Sequence, residues 1–358
     1  MTSLADALRG EVRRAGPIPL ARYMDAALND PTHGYYRTRD PLGAAGDFVT
    51  APEISQMFGE LLGVWLAYAW QQMGSPGDAL LVELGPGRGT LMGDALRATQ
   101  RVPGFHESVT LHLVETNPVL RQAQQAALGA FEPMWHARVA DLPPGPLLLV
   151  ANEFFDALPI DQYIFDKGAW HERRVGLAKN EDGIDDFIFT VGAPAERMFP
   201  PGSEGDIRED APAAHAILRQ VATRLASFGG AAIIVDYGTA NGETGDSLQA
   251  MRGHARHDPL VEPGSADLTA HVDFARLAAE ARQAGAKAYG PMEQGPFLKT
   301  LGIAHRAGVL SKSSPDQTGK IGLAVKRLIA PTEMGTLFKA LALTGPQQPT
   351  PPGFAEKT

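Results

Sequence analysis

The sequence predicts an α/β protein built on a doubly wound, mostly parallel sheet, with a helical N-terminal extension and inserted segments. Three observations predict it. Strand-like, largely apolar runs recur at "LLVEL" (80–84), "VTLHLVE" (109–115), "MWHARV" (134–139), "PLLLVAN" (146–152) and "AAIIVDYG" (231–238), as strands of a buried parallel sheet require. Helical stretches at 91–100 and 118–128 separate the first of these runs, so the strands are joined by crossovers. A glycine-rich turn, "GPGRG" (85–89), links the first strand to the first of those helices, at the end of the sheet where such folds hold ligands.

Taken in order, residues 3–14 and 19–28 read as two short amphipathic helices, the second with Pro19 in its first turn, where a missing N–H costs nothing. The Gly-, Pro- and Asp-rich stretch 29–53 reads as loop. A helix over 52–73 follows, with Phe58, Leu61, Leu62, Trp65 and Leu66 as its apolar face. After Asn152 the sheet pattern is interrupted by a hairpin over 160–190 with an acidic turn and by a Pro/Gly-rich loop over 191–210. Helix returns at 211–228 and again at 272–284, with little periodicity in 239–269, and "KAYGPM" (287–292) and "TLFKALAL" (336–343) supply the last two strands. The expected organisation is an N-terminal helical extension with a cofactor-covering loop (1–74), a core (75–345) carrying insertions at about 160–230 and 239–270, and a disordered tail (346–358).

Composition narrows the function. With 358 residues and 20% charged side chains the chain can bury a large core, and its net charge of −9 argues against a general nucleic-acid binder and mildly favours cationic partners. It has no cysteine, which excludes disulfides and thiolate metal sites, and cytoplasm is the expected location. No stretch approaches the ~18 apolar residues of a membrane span, so no membrane insertion is expected.

The turn at 85–89 is tested against three ligands. A triphosphate loop needs Lys followed by Ser or Thr, which Arg88-Gly89-Thr90 does not supply, and Gly85, Gly87 and Gly89 are spaced G-x-G-x-G rather than in the dinucleotide fingerprint. Glu83, two residues before the first glycine, would repel a pyrophosphate but pair with an ammonium. Glu115 ends the next strand, where it can accept from both hydroxyls of a ribose, and Asp141 is placed either to contact an adenine amino group or to cap the turn that follows it. This order of groups suits S-adenosyl-L-methionine. The fourth strand ends "VANEFFDALPI", and placing Asn152, Glu153 and Asp156 around two phenylalanines is costly unless they have partners, so they are the candidate catalytic residues. Carboxylates there can hold a guanidinium and favour its proton loss, which hints at an arginine acceptor.

The blocks "GDFVTAPEISQMFGE", "VELGPGRGTLMGDAL", "VETNPVLRQAQ", "ANEFFDALPIDQ", "IIVDYG", "DSLQAMRGH", "PGSADLTAHVDF" and "MGTLFKALAL" together resemble the MidA-like class I methyltransferases over roughly residues 15 to 345. The resemblance implies a class I, Rossmann-like fold and a protein-arginine methyltransferase. Mitochondrial members of that family are complex I assembly factors that symmetrically dimethylate an arginine of the 49-kDa quinone-site subunit, so a complex I subunit is the implied partner. It carries the cofactor role to Glu83, Gly85, Gly87, Gly89 and Glu115 and the substrate side to Asn152, Glu153 and Asp156. Asn117 stands where members often have Ser, and the chain starts directly with its first helix, without an Arg- and Ser-rich leader, so a bacterial enzyme is expected.

Other residues have roles that the sequence leaves open. Asp47, Thr50 and Glu53 are candidates to close over the cofactor, or are a loop acid and first-turn helix residues. Asp236 and Tyr237 line the substrate cleft or serve structure. His254, His257 and Asp258 lack further ligands for a metal, so no metal is expected. A methyltransferase for a small molecule or another side chain, and a non-catalytic cofactor-binding assembly factor, remain as alternatives.

Overall fold

The computed structural model describes residues 3–38, 50–242 and 245–354, and these divide into two compact units. One is formed by 49–156, 215–242 and 272–358 and carries the sheet; the other is formed by 1–48, 157–214 and 243–271. Among the described residues no helix is long and apolar enough to cross a membrane.

In the first unit seven strands make the main sheet: β1 (Ala79–Leu84), β2 (Val109–Val114), β3 (Met134–His136), β4 (Leu147–Asn152), β5 (Gly230–Thr239), β6 (Lys287–Glu293) and β7 (Phe338–Thr344). Their order is β6-β7-β5-β4-β1-β2-β3; β7 runs antiparallel to both β6 and β5, and the other pairings are parallel. A two-residue strand, Val272–Asp273, adds to the end of β5. Every residue of β1 and β4 is buried, which is why both read as unbroken apolar runs. Strand order reverses between β1 and β4, so the crevice beyond their carboxyl ends is the place for a ligand.

The helices of this unit position that crevice. The stretch 52–73 is two helices rather than one: α1 (Ala51–Ile54) ends at Ser55, whose extended backbone breaks the chain direction and whose hydroxyl accepts from Met57 N–H to cap α2 (Gln56–Gln72). α3 (Thr90–Thr99) follows the glycine turn and packs on α2, where a Cβ on Gly63 would lie 2.5 Å from Ala95 Cα. α4 (Pro118–Leu128) has Pro118 at its first position and Asn117 as its cap, accepting from Val119 N–H at 2.8 Å. Between β6 and β7 lie a short helix, Gln294–Thr300, then α5 (Ile303–Ser313) and α6 (Thr318–Ile329). Within the expected tail, Trp65 Nε1 donates to Pro352 O at 2.9 Å and the half-buried Phe354 ring lies tilted 5.4 Å from that of Phe297.

The second unit gathers the N-terminal helices Leu4–Ala15 and Leu20–Asn29 with the inserted segments. Strand Ala169–Lys179 pairs antiparallel with Ile18–Pro19, Asp161–Asp166 and Asp185–Pro194, and a separate three-stranded sheet holds Gln249–Arg252, Ala255–His257 and Asp267–Thr269. Its core includes Leu8, Tyr23, Tyr35, Val175 and Leu268.

Candidate active site

The carboxyl ends of β1, β2, β4 and β5 bring most of the expected residues to one edge of the sheet. Glu83 is 3% exposed, and its Oε2 has no hydrogen-bond partner among the described residues. Burial alone pushes this carboxyl up to about 8. Val150 lies level with Glu83 across the β1–β4 pair, so Asn152, two residues on, projects to the same side of the sheet. Asn152 is also buried, and its Oδ1 also lacks a partner among the described residues. A buried acceptor left without a donor costs about 1–3 kcal/mol, so two such acceptors at one strand edge point to a ligand rich in donors.

Gly85, Gly87 and Gly89 all have left-handed φ values, of 60°, 55° and 84°. At Gly85 the demand is also spatial, since a Cβ there would lie 2.8 Å from Phe154 Cδ2; the first of the two phenylalanines therefore sits over the turn. Gly89 precedes the first residue of α3, so the turn delivers a helix N-terminus.

Glu115 is half-buried beyond β2, and its Oε1 accepts from the N–H groups of Thr116 and Asn117, both at 2.7 Å. Burial raises this carboxyl, while those donors and Gln124 oppose the rise. Gln124 is a residue the sequence reasoning missed. Fully buried on α4, it donates to Gly87 O at 2.7 Å and to Glu115 Oε2 at 3.3 Å, and accepts from Trp135 Nε1 at 2.8 Å. The Trp135 donor fixes the amide so that its NH2 faces the other two. One side chain thus ties the glycine turn to the acid at the end of β2.

Asp141 stands apart. It is exposed, and its carboxylate pairs with Arg138 at 2.9 Å, which holds it below the ordinary carboxylate range. Asp47 lies outside the described residues.

Beyond β4, Glu153 has a left-handed φ of 48°, unusual for a residue with a side chain. Its Oε1 accepts from Ala51 N–H at 2.9 Å and Asn152 Nδ2 at 3.1 Å, tying α1 to the strand end. Burial, with the nearby Asp156 carboxyl adding to it, lifts Glu153 to about 7 despite those donors. Asp156 is itself 6% exposed. Asp236, on β5, is fully buried and serves structure: its Oδ2 accepts from the N–H groups of Phe154, Phe155 and Asp156 at 2.9 to 3.2 Å, holding the turn that carries the candidate acids. Burial and the Asp156 and Glu153 carboxyls raise Asp236 well above its usual value. Tyr237 packs edge-on to Phe338. Glu53 accepts from Thr90 Oγ1 at 2.7 Å, joining α1 to the start of α3, and Thr50 is the N-cap residue of α1.

These groups fit S-adenosyl-L-methionine. Glu83 and Asn152 offer buried acceptors to its ammonium, the left-handed glycines leave backbone open to its amino-acid portion, and Glu115 offers Oε2 to ribose hydroxyls.

Comparison with known proteins bears on this reading. Residues 61–292 match the family described as "Putative S-adenosyl-L-methionine-dependent methyltransferase". The protein arginine methyltransferase NDUFAF7 homolog, mitochondrial, of Drosophila melanogaster is 40% identical, over 95% of this chain and 84% of its own length. The protein arginine methyltransferase NDUFAF7, mitochondrial, of Homo sapiens is 35% identical, over 96% and 83%. A crystal structure from Burkholderia thailandensis, bound to S-adenosyl-homocysteine, superposes with a TM-score of 0.82 at 29% identity, covering 98% of this chain and 93% of that one. The expected cytoplasmic location is corrected by these relatives, which are named as mitochondrial proteins. A lack of cysteine excludes disulfides but does not tell one reducing compartment from another.

Proposed function

The chain belongs to this family of S-adenosyl-L-methionine-dependent methyltransferases, with the class I fold, and we propose that its acceptor is an arginine side chain of a partner protein. The observation that carries the proposal is the pair of carboxyls, half-buried Glu153 and buried Asp156, held beside the candidate cofactor groups. The names of the relatives support it, and the resemblance extends it to a respiratory complex I subunit of the 49-kDa type as the target. The second unit is built from the N-terminal and inserted segments, an elaboration that suits a protein acceptor better than a small molecule.

S-adenosyl-L-methionine would supply an electrophilic methyl group on a sulfonium, whose carbon–sulfur bond breaks as the new bond forms and which leaves as the neutral thioether S-adenosylhomocysteine. The chain's residues do the rest. Glu83 neutralises the cofactor ammonium, and Glu115, oriented by Gln124 and two backbone N–H groups, takes the ribose. Glu153 and Asp156 hold the planar guanidinium and aim one nitrogen, and a carboxylate titrating near 7 accepts the proton that nitrogen loses as its bond to carbon forms. Asp236 keeps the turn bearing both acids rigid.

The test is methyl transfer from labelled cofactor into extract of a strain lacking the protein, with mass spectrometry of the product. Methylated arginine is expected; label confined to small molecules would overturn the proposal. On the identified acceptor, kcat/KM should rise with pH through about 7, because protonated Glu153 can neither hold the guanidinium nor take its proton. Glu153→Gln should lower the rate by roughly a hundredfold or more and remove that limb. A limb that persists in the variant would assign it to another group.

A further inference from the structure

The chain carries 32 basic against 41 acidic residues, yet residues 294–337, between β6 and β7, reverse that balance with six bases (Lys299, Arg306, Lys312, Lys320, Lys326, Arg327) against Asp316 and Glu333. Arg306 is held by the buried Glu60, at 2.6 and 2.7 Å. Lys312, Lys320, Lys326 and Arg327 are exposed and make no ion pair among the described residues. On α6, Ile321, Ala324, Val325 and Leu328 turn inward, while Leu323 and Lys326 lie on the opposite face with Arg327 and Lys320 along its flank. Leu323 is 69% exposed. An exposed apolar side chain in the middle of an unpaired basic face has the composition of an interaction surface, in which an apolar contact is ringed by charges that select the partner.

Its position gives it a purpose. α6 packs on α1, whose first residue, Ala51, donates its N–H to Glu153 at 2.9 Å, and Arg327 lies within electrostatic reach of that carboxyl. The basic face is therefore one helix away from the groups assigned to the acceptor arginine.

We infer that this face of α6, with Lys312 at the end of α5, docks an acidic segment of the protein acceptor, flanking the arginine to be methylated. The inference rests on the arginine reading above. The division of labour is electrostatic: acids at the end of β4 take the guanidinium, and bases on α6 take acidic residues near it in the same polypeptide. A flank of lysines would meet like charge, so the surface selects among arginines that the catalytic groups alone could not distinguish.

The experiment uses the full chain and three synthetic peptides with one central arginine, flanked by Asp and Glu, by Gln and Ser, or by Lys. With the unaltered protein at low salt, KM for the acid-flanked peptide should lie about tenfold or more below that for the lysine-flanked one, and added salt should shrink the gap. In Lys320→Glu/Lys326→Glu the order should invert, with kcat on the neutral-flanked peptide unchanged. Equal KM values in the unaltered protein, or the original preference surviving in the double variant, would overturn the inference. Docking is read separately by fluorescence anisotropy of a labelled acid-flanked peptide whose central residue is Lys. If no peptide is methylated but this probe binds and the double variant loses it, the arginine reading fails while the acidic docking surface stands. If the probe does not bind, or if a mixed-sequence single-stranded oligonucleotide binds more tightly than it does, the acidic-segment inference is wrong.

Discussion

Glu60 and Glu83 are equally hidden, each 3% exposed, and their surroundings are opposite. Glu60, on α2, receives Arg97 from α3 at 2.6 Å, Arg306 from α5 through two nitrogens, and Gln56. Burial raises that carboxyl, but Arg306 and Arg97 outweigh it and hold it below its ordinary value. Glu83, at the end of β1, keeps an oxygen with no donor among the described residues, and burial raises it to about 8. A fold that spends two arginines on one buried glutamate and none on another, in the same unit, has left the second for something else. Satisfied burial marks a joint, here between three helices, and unsatisfied burial at a topological switch point marks a ligand site.

The difference can be broken from the Glu60 side, where the largest effect is expected. Glu60→Leu takes from Arg97 and Arg306 their shared acceptor, although both reach solvent and Arg97 keeps Asp94, and should destabilise the protein by about 2–3 kcal/mol, read as a lowered denaturation midpoint. Cofactor affinity of the folded fraction should not change. If stability were untouched, the Glu60 cluster would be surface decoration and the contrast would lose one of its poles.

Glu83→Gln is the reciprocal change. It replaces a carboxyl that burial keeps largely protonated near neutral pH with a neutral isostere, so folding stability there should rise rather than fall, while affinity for S-adenosylmethionine should fall about a hundredfold, the loss of one charge-assisted contact of about 2–3 kcal/mol. Calorimetry with purified variants measures both. Retained affinity would place the cofactor's ammonium elsewhere and leave the orphaned oxygen without an explanation.

The two glutamates also show what is legible in a sequence. Glu83 stands out in "LLVELGPGRG" because a lone acid at the end of a continuous apolar strand, before alternating glycines, has no packing role, and Asn152, Glu153 and Asp156 stand out at the end of "PLLLVAN" for the same reason. Parallel strands with buried interiors announce themselves, so β1, β2, β4 and β5 are readable nearly to their ends, whereas β3, exposed or half-buried at the sheet edge, stops at His136, three residues short of the expected run. Glu60 looks like any helical glutamate, because its arginines arrive from 37 and 246 residues away. Gln124 is hidden in "RQAQQAAL" among other glutamines, since its partners Trp135 and Gly87 meet it only once β1 and β3 are in place. The helices of 294–337 escaped because Gly308, Gly319 and Gly322 lower their helix propensity, and tertiary packing of stripes such as Ile321, Ala324, Val325 and Leu328 sustains them. Asp141 sits where an adenine contact is expected, but Arg138, three residues earlier, takes its carboxylate. Ser55 divides a stretch that reads as one helix because its hydroxyl starts a new one.

The smallest effect sharpens the contrast most. With a value near 8, Glu83 is largely protonated at pH 7 in the free protein, and an arriving ammonium favours its ionised form, so binding should expel most of one proton. Glu60, already ionised beside two arginines, can contribute nothing to that release. The sign follows from the direction of the shift: the carboxyl must lose its proton to pair, so affinity should climb as pH rises toward about 8 and then level. Calorimetric titration of S-adenosylhomocysteine at pH 7, in two buffers of different ionisation enthalpy, reads the release directly. In Glu83→Gln it should vanish. A release of the same size in that variant would move the titrating group to Glu153, whose value of about 7 makes it the other carboxyl able to discharge a proton there. The unpaired oxygen at the end of β1 would then not be the one the cofactor meets.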